Sequence, residues 1–366
     1  MLIDIIAGAR PNFIKIAPII EAIKLQSAAG KDMQYRLVHT GQHYDKKMSG
    51  DFFDQLNIPA PDYNLEAGSG TQAEQTGKIM IGYEKLLLEN PCDLCIVVGD
   101  VTSTMACSIA AKKVNNIKVA HVEGGIRSGD WTMPEEINRI VTDSISDYFF
   151  TTSAVANNNL IRSGVPDDRI FFVGNTMIDT LYKHMPRLIK PPIWDAAKLE
   201  KGNYIIMTLH RPANVDNGIK LKELITEIVQ SSANLPVIFP VHPRTAKMLD
   251  TLGISDRNLY VIDPLGYLEF NYLVKNAKAV ITDSGGITEE ATVMGVPCMT
   301  LRDSTERPET CTIGTNELLG TDPANIAPAF RKLFSGNWKK GNIPELWDGN
   351  TALRIVDKIA IIYDLS

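Results

Sequence analysis

Short runs of β-branched and aliphatic residues alternate along this chain with longer stretches whose apolar positions recur at helical spacing. The alternation holds in both halves and predicts parallel strands joined by helices, hence a parallel sheet in each half. In the first half, strands are expected near residues 2–7, 35–39, 94–98, 118–122, 147–151 and 170–173. In the second they are expected near 204–208, 236–241, 259–262, 279–282 and 297–301. No segment repeats in tandem at a period of about 20–50 residues, which excludes solenoids and propellers. The break comes after FFVGN at 171–175, where a helix-like MIDTLYKHM gives way to the proline-rich RLIKPPIWD. A hinge is therefore expected near 173–176. The segment TALRIVDKIAIIYD, beginning at Thr351, reads as a last helix that fits either half.

The densest pattern lies at 119–139, VAHVEGGIRSGDWTMPEEINR. A β-branched strand breaks at Gly124-Gly125, passes through a polar loop and re-enters order at Pro134. Proline followed by two acids marks a helix start, since the missing N–H is not needed there and the macrodipole favours negative charge. Ile137, Ile140, Val141 and Ile145 recur at helical spacing and are expected to form the buried stripe. Glu135 and Arg139 lie i,i+4 on the other side, a spacing at which they can pair. One strand end, Glu123, and one helix start, Glu135, thus bring two carboxylates to the same loop region. A solvated first-turn acid is the plain alternative for Glu135. Glu123 ends an apolar strand, where open α/β sheets place their ligands.

Composition narrows the partners. The chain has 366 residues, 44% hydrophobic and 22% charged, ordinary values for about two soluble domains. A net charge of −6 argues against nucleic acid or an anionic membrane as a partner. The strand-like LIDIIA opening shows no signal-peptide pattern and no apolar run reaches membrane-span length, so a cytoplasmic protein is expected. Five scattered cysteines disfavour a disulfide framework; Cys92 and Cys95 form a C-x-x-C, but Cys95 opens the apolar run CIVV and reads as a strand-lining thiol.

Neither a dinucleotide fingerprint nor a P-loop occurs. After the first strand, GARPNFIK instead offers two cations, Arg10 and Lys15, suited to an anion at the strand's carboxyl end. VVGDVTST repeats the arrangement, with Asp100 at a strand tip and Thr102 or Ser103 as the expected helix cap; a turn or capping role is the alternative for Asp100. His39 and His43 in HTGQHYD match no metal-ligand spacing, and no metal is expected. In the second half ITDSGGITEE reads as a strand, then Ser284-Gly285-Gly286, then a helix closed by Gly295. Glycines let backbone approach a phosphate, and the free N–H groups of a helix start form an anion site. Glu290, one turn on, suits ribose hydroxyls. TLHRPANVD, PVHPR and RDSTERPE add His210, Arg211, His242, Arg244, Arg302 and Arg307 as a cationic rim, His242 having a core histidine as its alternative.

Taken in order, GARPNFIK, HTGQHYD, VVGDVTST, HVEGGIRSGD, MPEEINR, VGNTMIDT, TLHRPANV, DSGGITEE and RDSTERPE resemble the non-hydrolysing UDP-N-acetylglucosamine 2-epimerase family across nearly the whole chain. The resemblance implies two Rossmann-like parallel-sheet lobes facing a cleft, the glycosyltransferase-B type. The lobes would be residues 1–173, with the terminal helix 351–366 packing back, and 174–350. It implies a homodimer that needs no cofactor and interconverts UDP-GlcNAc and UDP-ManNAc by eliminating UDP to a 2-acetamidoglucal and re-adding it, in the supply of surface polysaccharide. Matched residue by residue, Asp100, Glu123 and Glu135 are the family's active-site carboxylates, and Arg10, Lys15 and His210 its cationic contacts, His210 counted with the catalytic set. Ser284, Gly285 and Gly286 match the phosphate turn, Glu290 the ribose acid, Phe270 a uracil contact and Arg307 a nucleotide contact. Members controlled by free UDP-GlcNAc carry Arg and Gln or Glu where Tyr44 and Asp45 follow Gln42-His43 here, so simple saturation kinetics are expected. TGQHYD and TLHRPANV also occur in relatives that act on more elaborate sugars, so a modified UDP-sugar such as a diacetamido uronic acid, or a hydrolysing epimerase releasing ManNAc, is the alternative.

Overall fold

A computed structural model describes residues 1–41, 55–56, 58–115, 117–241 and 243–365, without the side chains of Arg10, Pro212, Pro243 and Arg244. His43, Tyr44, Asp45 and His242 lie outside the described residues, as do the side chains of Arg10 and Arg244. Two compact units divide the chain, Met1–Lys183 with Glu345–Ser366, and His184–Pro344.

In the first unit seven strands form one sheet: β1 (Leu2–Ala7), β2 (Gln34–His39), β3 (Tyr63–Asn64), β4 (Leu94–Val98), β5 (Lys118–Val122), β6 (Tyr148–Thr151) and β7 (Ile170–Phe172). Their order is β3-β2-β1-β4-β5-β6-β7, every pair parallel. Ile3, Ile5, Cys95, Ile96, Val97 and Val119 are fully buried. A parallel sheet covered on both faces needs such unbroken apolar runs rather than alternation. The helix Thr176–His184 lies with this unit up to Lys183, because the Thr180 hydroxyl donates to the Ile14 carbonyl at 2.6 Å. The last helix, Thr351–Ile362, packs on the helix Arg10–Ala28. Asp179 caps it, accepting the N–H groups of Thr351 and Ala352 at 3.1 and 2.7 Å.

The second unit carries β8 (Ile205–Thr208), β9 (Val237–Pro240), β10 (Leu259–Ile262), β11 (Ala279–Thr282), β12 (Cys298–Thr300) and β13 (Asn316–Leu318). Their order is β10-β9-β8-β11-β12-β13, again parallel throughout. Eleven of the thirteen strands fall where hydrophobic runs place them. The other two, β3 and β13, contain the polar pieces Tyr63-Asn64 and Asn316-Glu317-Leu318 at sheet edges, where one-sided pairing needs no apolar run. No helix among the described residues is long and apolar enough to cross a membrane.

Candidate active site

Each sheet is wound from its first strand to one edge and then from that strand's other side, so the order reverses between β1 and β4 and between β8 and β11. Loops at the carboxyl ends of these strands diverge, and open parallel sheets bind ligands there.

In the first unit, Asn12 ties the two loops together. Its side-chain oxygen accepts the N–H of Ala9 at 3.0 Å, and its amide donates to the Val98 carbonyl at 2.9 Å. One turn on, the Lys15 ammonium reaches the Glu123 carboxylate beyond β5 at 2.8 Å. Gly99 makes room for that contact: it has φ +72°, and a Cβ added there would lie 3.4 Å from Lys15 Nζ and 3.8 Å from Glu123 Oε2. Glu123 is 3% exposed and sits at φ +69°. A left-handed non-glycine residue is strained and persists only where its surroundings over-determine it.

Asp100 follows Gly99 at the tip of β4 and is held by the helix Pro134–Ile145. Asn138 donates to its carbonyl at 2.8 Å, and the Arg139 guanidinium lies 2.5 Å from its carboxylate. Arg139 also binds Glu136 at 2.8 Å, so the i,i+4 pair expected with Glu135 is replaced by an i,i+3 pair and a bond across to β4. Glu136 in turn accepts the N–H groups of Ser128 and Gly129, both at 3.0 Å, fixing the loop that precedes the helix. Burial pushes the Glu136 carboxyl up, but those N–H bonds and Arg139 outweigh it and hold it below its ordinary value. Glu135 itself is exposed at the first turn.

The expected stripe on this helix is inverted. Ile137 is 39% exposed and Ile140, Val141 and Ile145 are only half-buried, whereas Glu136, Asn138, Arg139, Thr142 and Asp143 are the buried positions. Periodicity alone cannot tell which of two helical faces turns inward when the inner face is satisfied by hydrogen bonds. The expected side-chain cap at Thr102 or Ser103 is likewise absent: Val101 holds the cap position of the helix Thr102–Lys113, without a side-chain bond. His39 ends β2, and its ring packs 5.4 Å from that of Phe13.

In the second unit Asp283, just past β11 and fully buried, is the hub. It accepts the backbone N–H groups of His210 and Arg211, each at 3.0 Å, and the Asn214 amide at 3.1 Å. Its carboxylate lies 2.6 Å from Nδ1 of His210, whose ring is largely exposed. Burial pushes the Asp283 carboxyl up, yet His210, Arg211 and Asn214 outweigh it and leave it low. Ser284 then precedes the helix Gly285–Val293, whose first N–H groups carry no side-chain cap. Nothing crowds Gly285: a Cβ there would meet only Arg302, at 4.0 Å. Gly286 is the next residue of the same helix start.

Glu290 is 3% exposed; the Tyr267 hydroxyl donates to it at 2.7 Å and the Asn271 amide at 3.3 Å. Burial pushes its carboxyl up to about 7 against those two bonds. Phe270 lies on the same helix as Tyr267 and Asn271, half-buried against the second unit's core. The cationic rim is committed in part: Arg302 pairs with Glu306 at 2.6 Å, and Arg307 with Glu289. Burial raises Glu306, but Arg302 beside it brings its carboxyl down to about 2.

Sequence reasoning passed over Glu136, Asn138, Asp143, Asp283, Tyr267 and Asn271. A signal existed for the first group, since 136, 139 and 143 follow helical spacing as regularly as the isoleucines do. Asp283 directly precedes the Ser-Gly-Gly turn, where an acid beside an expected phosphate site calls for a reason.

Two parallel sheets, each reversing its strand order beside its first strand, are the architecture of the glycosyltransferase-B type. The sequence model of the UDP-N-acetylglucosamine 2-epimerase family matches residues 26–360. The chain belongs to this family, and so to the isomerases. It is 42% identical over 352 residues to the UDP-N-acetylglucosamine 2-epimerase of Methanocaldococcus jannaschii, covering 93% of this chain and 94% of that one. It is 39% identical over 334 residues to the UDP-2,3-diacetamido-2,3-dideoxy-D-glucuronate 2-epimerase of Pseudomonas aeruginosa, covering 90% and 92%. Among solved structures, the Methanocaldococcus jannaschii UDP-GlcNAc 2-epimerase in complex with UDP-GlcNAc and UDP superposes with a TM-score of 0.88 at 41% identity, covering 99% of this chain and all of that one.

Proposed function

We propose that the protein interconverts UDP-GlcNAc and UDP-ManNAc by inverting C2, through elimination of UDP and its re-addition. The C2 hydrogen is not next to a carbonyl, so no base removes it by simple enolisation. It becomes acidic as the C1–O bond breaks and positive charge builds at C1. A first-unit carboxylate takes the proton, the C2–H electron pair becomes the C1=C2 bond of 2-acetamidoglucal, and the C1–O pair leaves on the β-phosphate oxygen of UDP. Return of a proton to the opposite face of C2, with UDP re-adding at C1, gives the epimer. Two faces ask for more than one acid–base group, and Asp100, Glu123 and Glu135 are the candidates.

The leaving diphosphate gathers negative charge. The Ser284–Gly286 helix start, Arg10 and His210 are assigned to that charge, because preorganised donors stabilise what develops in the transition state. Lys15 neutralises Glu123, Glu290 takes the ribose hydroxyls, Phe270 the uracil and Arg307 a further nucleotide contact. The observation that carries the reading is the pairing of Asp100 with Arg139 and of Glu123 with Lys15 at the tips of adjacent strands β4 and β5. A protein that only binds nucleotide sugars needs the second unit's site but no such set of carboxylates.

A second reading is favoured by the Pseudomonas aeruginosa relative: the same chemistry on a UDP-diacetamido uronic acid. We further infer a cytoplasmic homodimer that supplies surface-polysaccharide synthesis. Ile81 and Leu88, 70% and 67% exposed and seven residues apart on the helix Gln72–Glu89, support a face for a second copy.

The test is incubation with UDP-GlcNAc in D₂O without added metal or nicotinamide. Both C2 epimers should appear with deuterium at C2. Epimerisation with the original hydrogen retained would refute elimination. ManNAc and UDP as main products would select a hydrolysing enzyme. No turnover of UDP-GlcNAc alongside turnover of the diacetamido uronate would select the second reading.

A further inference from the structure

Two residues before Glu123, His121 occupies a place where an acid–base histidine is easily assumed. Its surroundings assign it other work. The ring is fully buried in β5, with Nδ1 2.7 Å from Asp143 and Nε2 2.9 Å from the Gly99 carbonyl. A backbone carbonyl has no proton to give, so Nε2 is the donor there. Asp143 already accepts the Gly125 N–H at 3.0 Å and the Arg127 guanidinium at 2.6 Å. An ionised carboxylate with those donors makes Nδ1 a donor as well. Burial pushes the Asp143 carboxyl up, but His121 and Arg127 outweigh it and hold it low. Both ring nitrogens are thus committed to partners within the protein, and the fully buried ring has no face open to a substrate.

What the pair grips is backbone beside the reacting side chains. Gly99, whose carbonyl takes Nε2, immediately precedes Asp100. Gly125, whose N–H binds Asp143, lies two residues past Glu123. Gly125 has φ +79°, and a Cβ there would come within 2.3 Å of the Ala156 carbonyl, so this turn is closed on its far side as well. Glu123 itself, between them, holds the left-handed conformation that nothing intrinsic to a glutamate favours.

We propose that the buried His121–Asp143 pair is a positioning unit that couples the Gly99–Asp100 turn to the Glu123–Gly125 turn and so sets the spacing of the two carboxylates. It rests on the assignment of Asp100 and Glu123 to the chemistry. The pair acts through backbone, and its loss misplaces reacting groups without removing them. Misplacement of reacting groups by about 1 Å costs on the order of 10²-fold.

The variants are His121→Gln, which keeps a single amide donor, and Asp143→Asn, which keeps the shape and loses the charge. Each is expected to lower kcat by at least about tenfold, with KM and UDP affinity within about threefold of wild type. The double variant should lose no more than the worse single one, since both break the same unit. Amide hydrogen exchange on the folded variants should quicken in peptides covering Gly99–Val101 and Glu123–Arg127, with the second unit unchanged. Unchanged kcat in folded variants, a parallel rise in KM, or wild-type exchange at both turns would overturn the proposal. So would failure of both variants to fold, which would make the pair a stability element. If the wild-type enzyme epimerises neither UDP-sugar, the functional reading fails instead, and the exchange measurement still decides whether the pair holds the turns.

Discussion

At its switch point the first unit sets acids against cations, Asp100 with Arg139 and Glu123 with Lys15. The second unit, wound in the same order, places one buried acid, Asp283, beneath two backbone N–H groups that donate to it and a histidine. The same topology thus carries two kinds of electrostatics. In the first unit Asp100 and Glu123 are each fixed by a neighbour of opposite charge, which suits the proton exchange proposed for them. In the second, Asp283 is spent on the protein's own loop, holding His210 and Arg211 while the helix start at Gly285 is left open for an anion. A switch point therefore defines where a ligand goes, and the residues delivered to it define whether the ligand is held or transformed.

If that division is right, the two units should fail differently. Asp100→Asn, Glu123→Gln and Glu135→Gln should each cut turnover by at least ~10²-fold, the low end of general acid–base contributions, with UDP binding intact by calorimetry. Three variants with near-normal turnover would erase the contrast. In the second unit Glu290→Ala and Gly285→Val should weaken UDP binding by roughly 10- to 100-fold, the range for a lost hydrogen bond to a charged group; Glu290→Ala should leave kcat at saturation close to wild type, whereas Gly285→Val, at the helix start assigned to the leaving diphosphate, should lower kcat as well. Unchanged UDP affinity in both would place the nucleotide elsewhere. A third substitution tests the scaffold behind the first site. Glu136→Gln leaves buried Arg139 with one charged partner, Asp100, and should cost about 1–3 kcal/mol in denaturant unfolding; a cost below a few tenths would show that the Glu136–Arg139 pair adds little.

The backbone of this comparison was legible in the sequence and its polar wiring was not. Buried parallel strands need continuous apolar runs, so β1, β4, β5, β8 and β11 announced themselves, and with them the helix start that carries Lys15 and the loops that carry Asp100, Glu123, His210 and Ser284. The helix Pro134–Ile145 shows where pattern reading stops. It has two faces of equal periodicity, and the isoleucines lost the interior to Glu136, Arg139 and Asp143 because those side chains find charged or backbone partners there. Partners 39 residues away, as Asp100 is from Arg139, leave no trace in local spacing. Asp283 was hidden for the same reason: its three hydrogen-bond donors, the N–H groups of His210 and Arg211 and the Asn214 amide, come from a segment more than sixty residues earlier.

The mildest expected effect is a pH dependence confined to the second unit. Burial raises the Glu290 carboxyl to about 7. In the unfolded chain an ordinary glutamate titrates near 4.5, so the folded state binds the extra proton between those values. The stabilising contribution of that proton is complete below the unfolded value and is lost as pH rises through about 7. Ribose hydroxyls that donate to Glu290 favour its ionised form, so bound UDP should pull the pKa back down. UDP affinity is then expected to rise with pH and level off above about 7, by on the order of tenfold between pH 6 and 8 if the pKa falls back to its ordinary value. The phosphate of UDP also titrates near this window, and Glu290→Gln retains it. Subtracting its profile from that of the wild type isolates the carboxylate. A wild-type profile that parallels the Gln variant would mean that Glu290 keeps its proton or never meets the ribose, and the second unit's grip would then rest on the helix start alone.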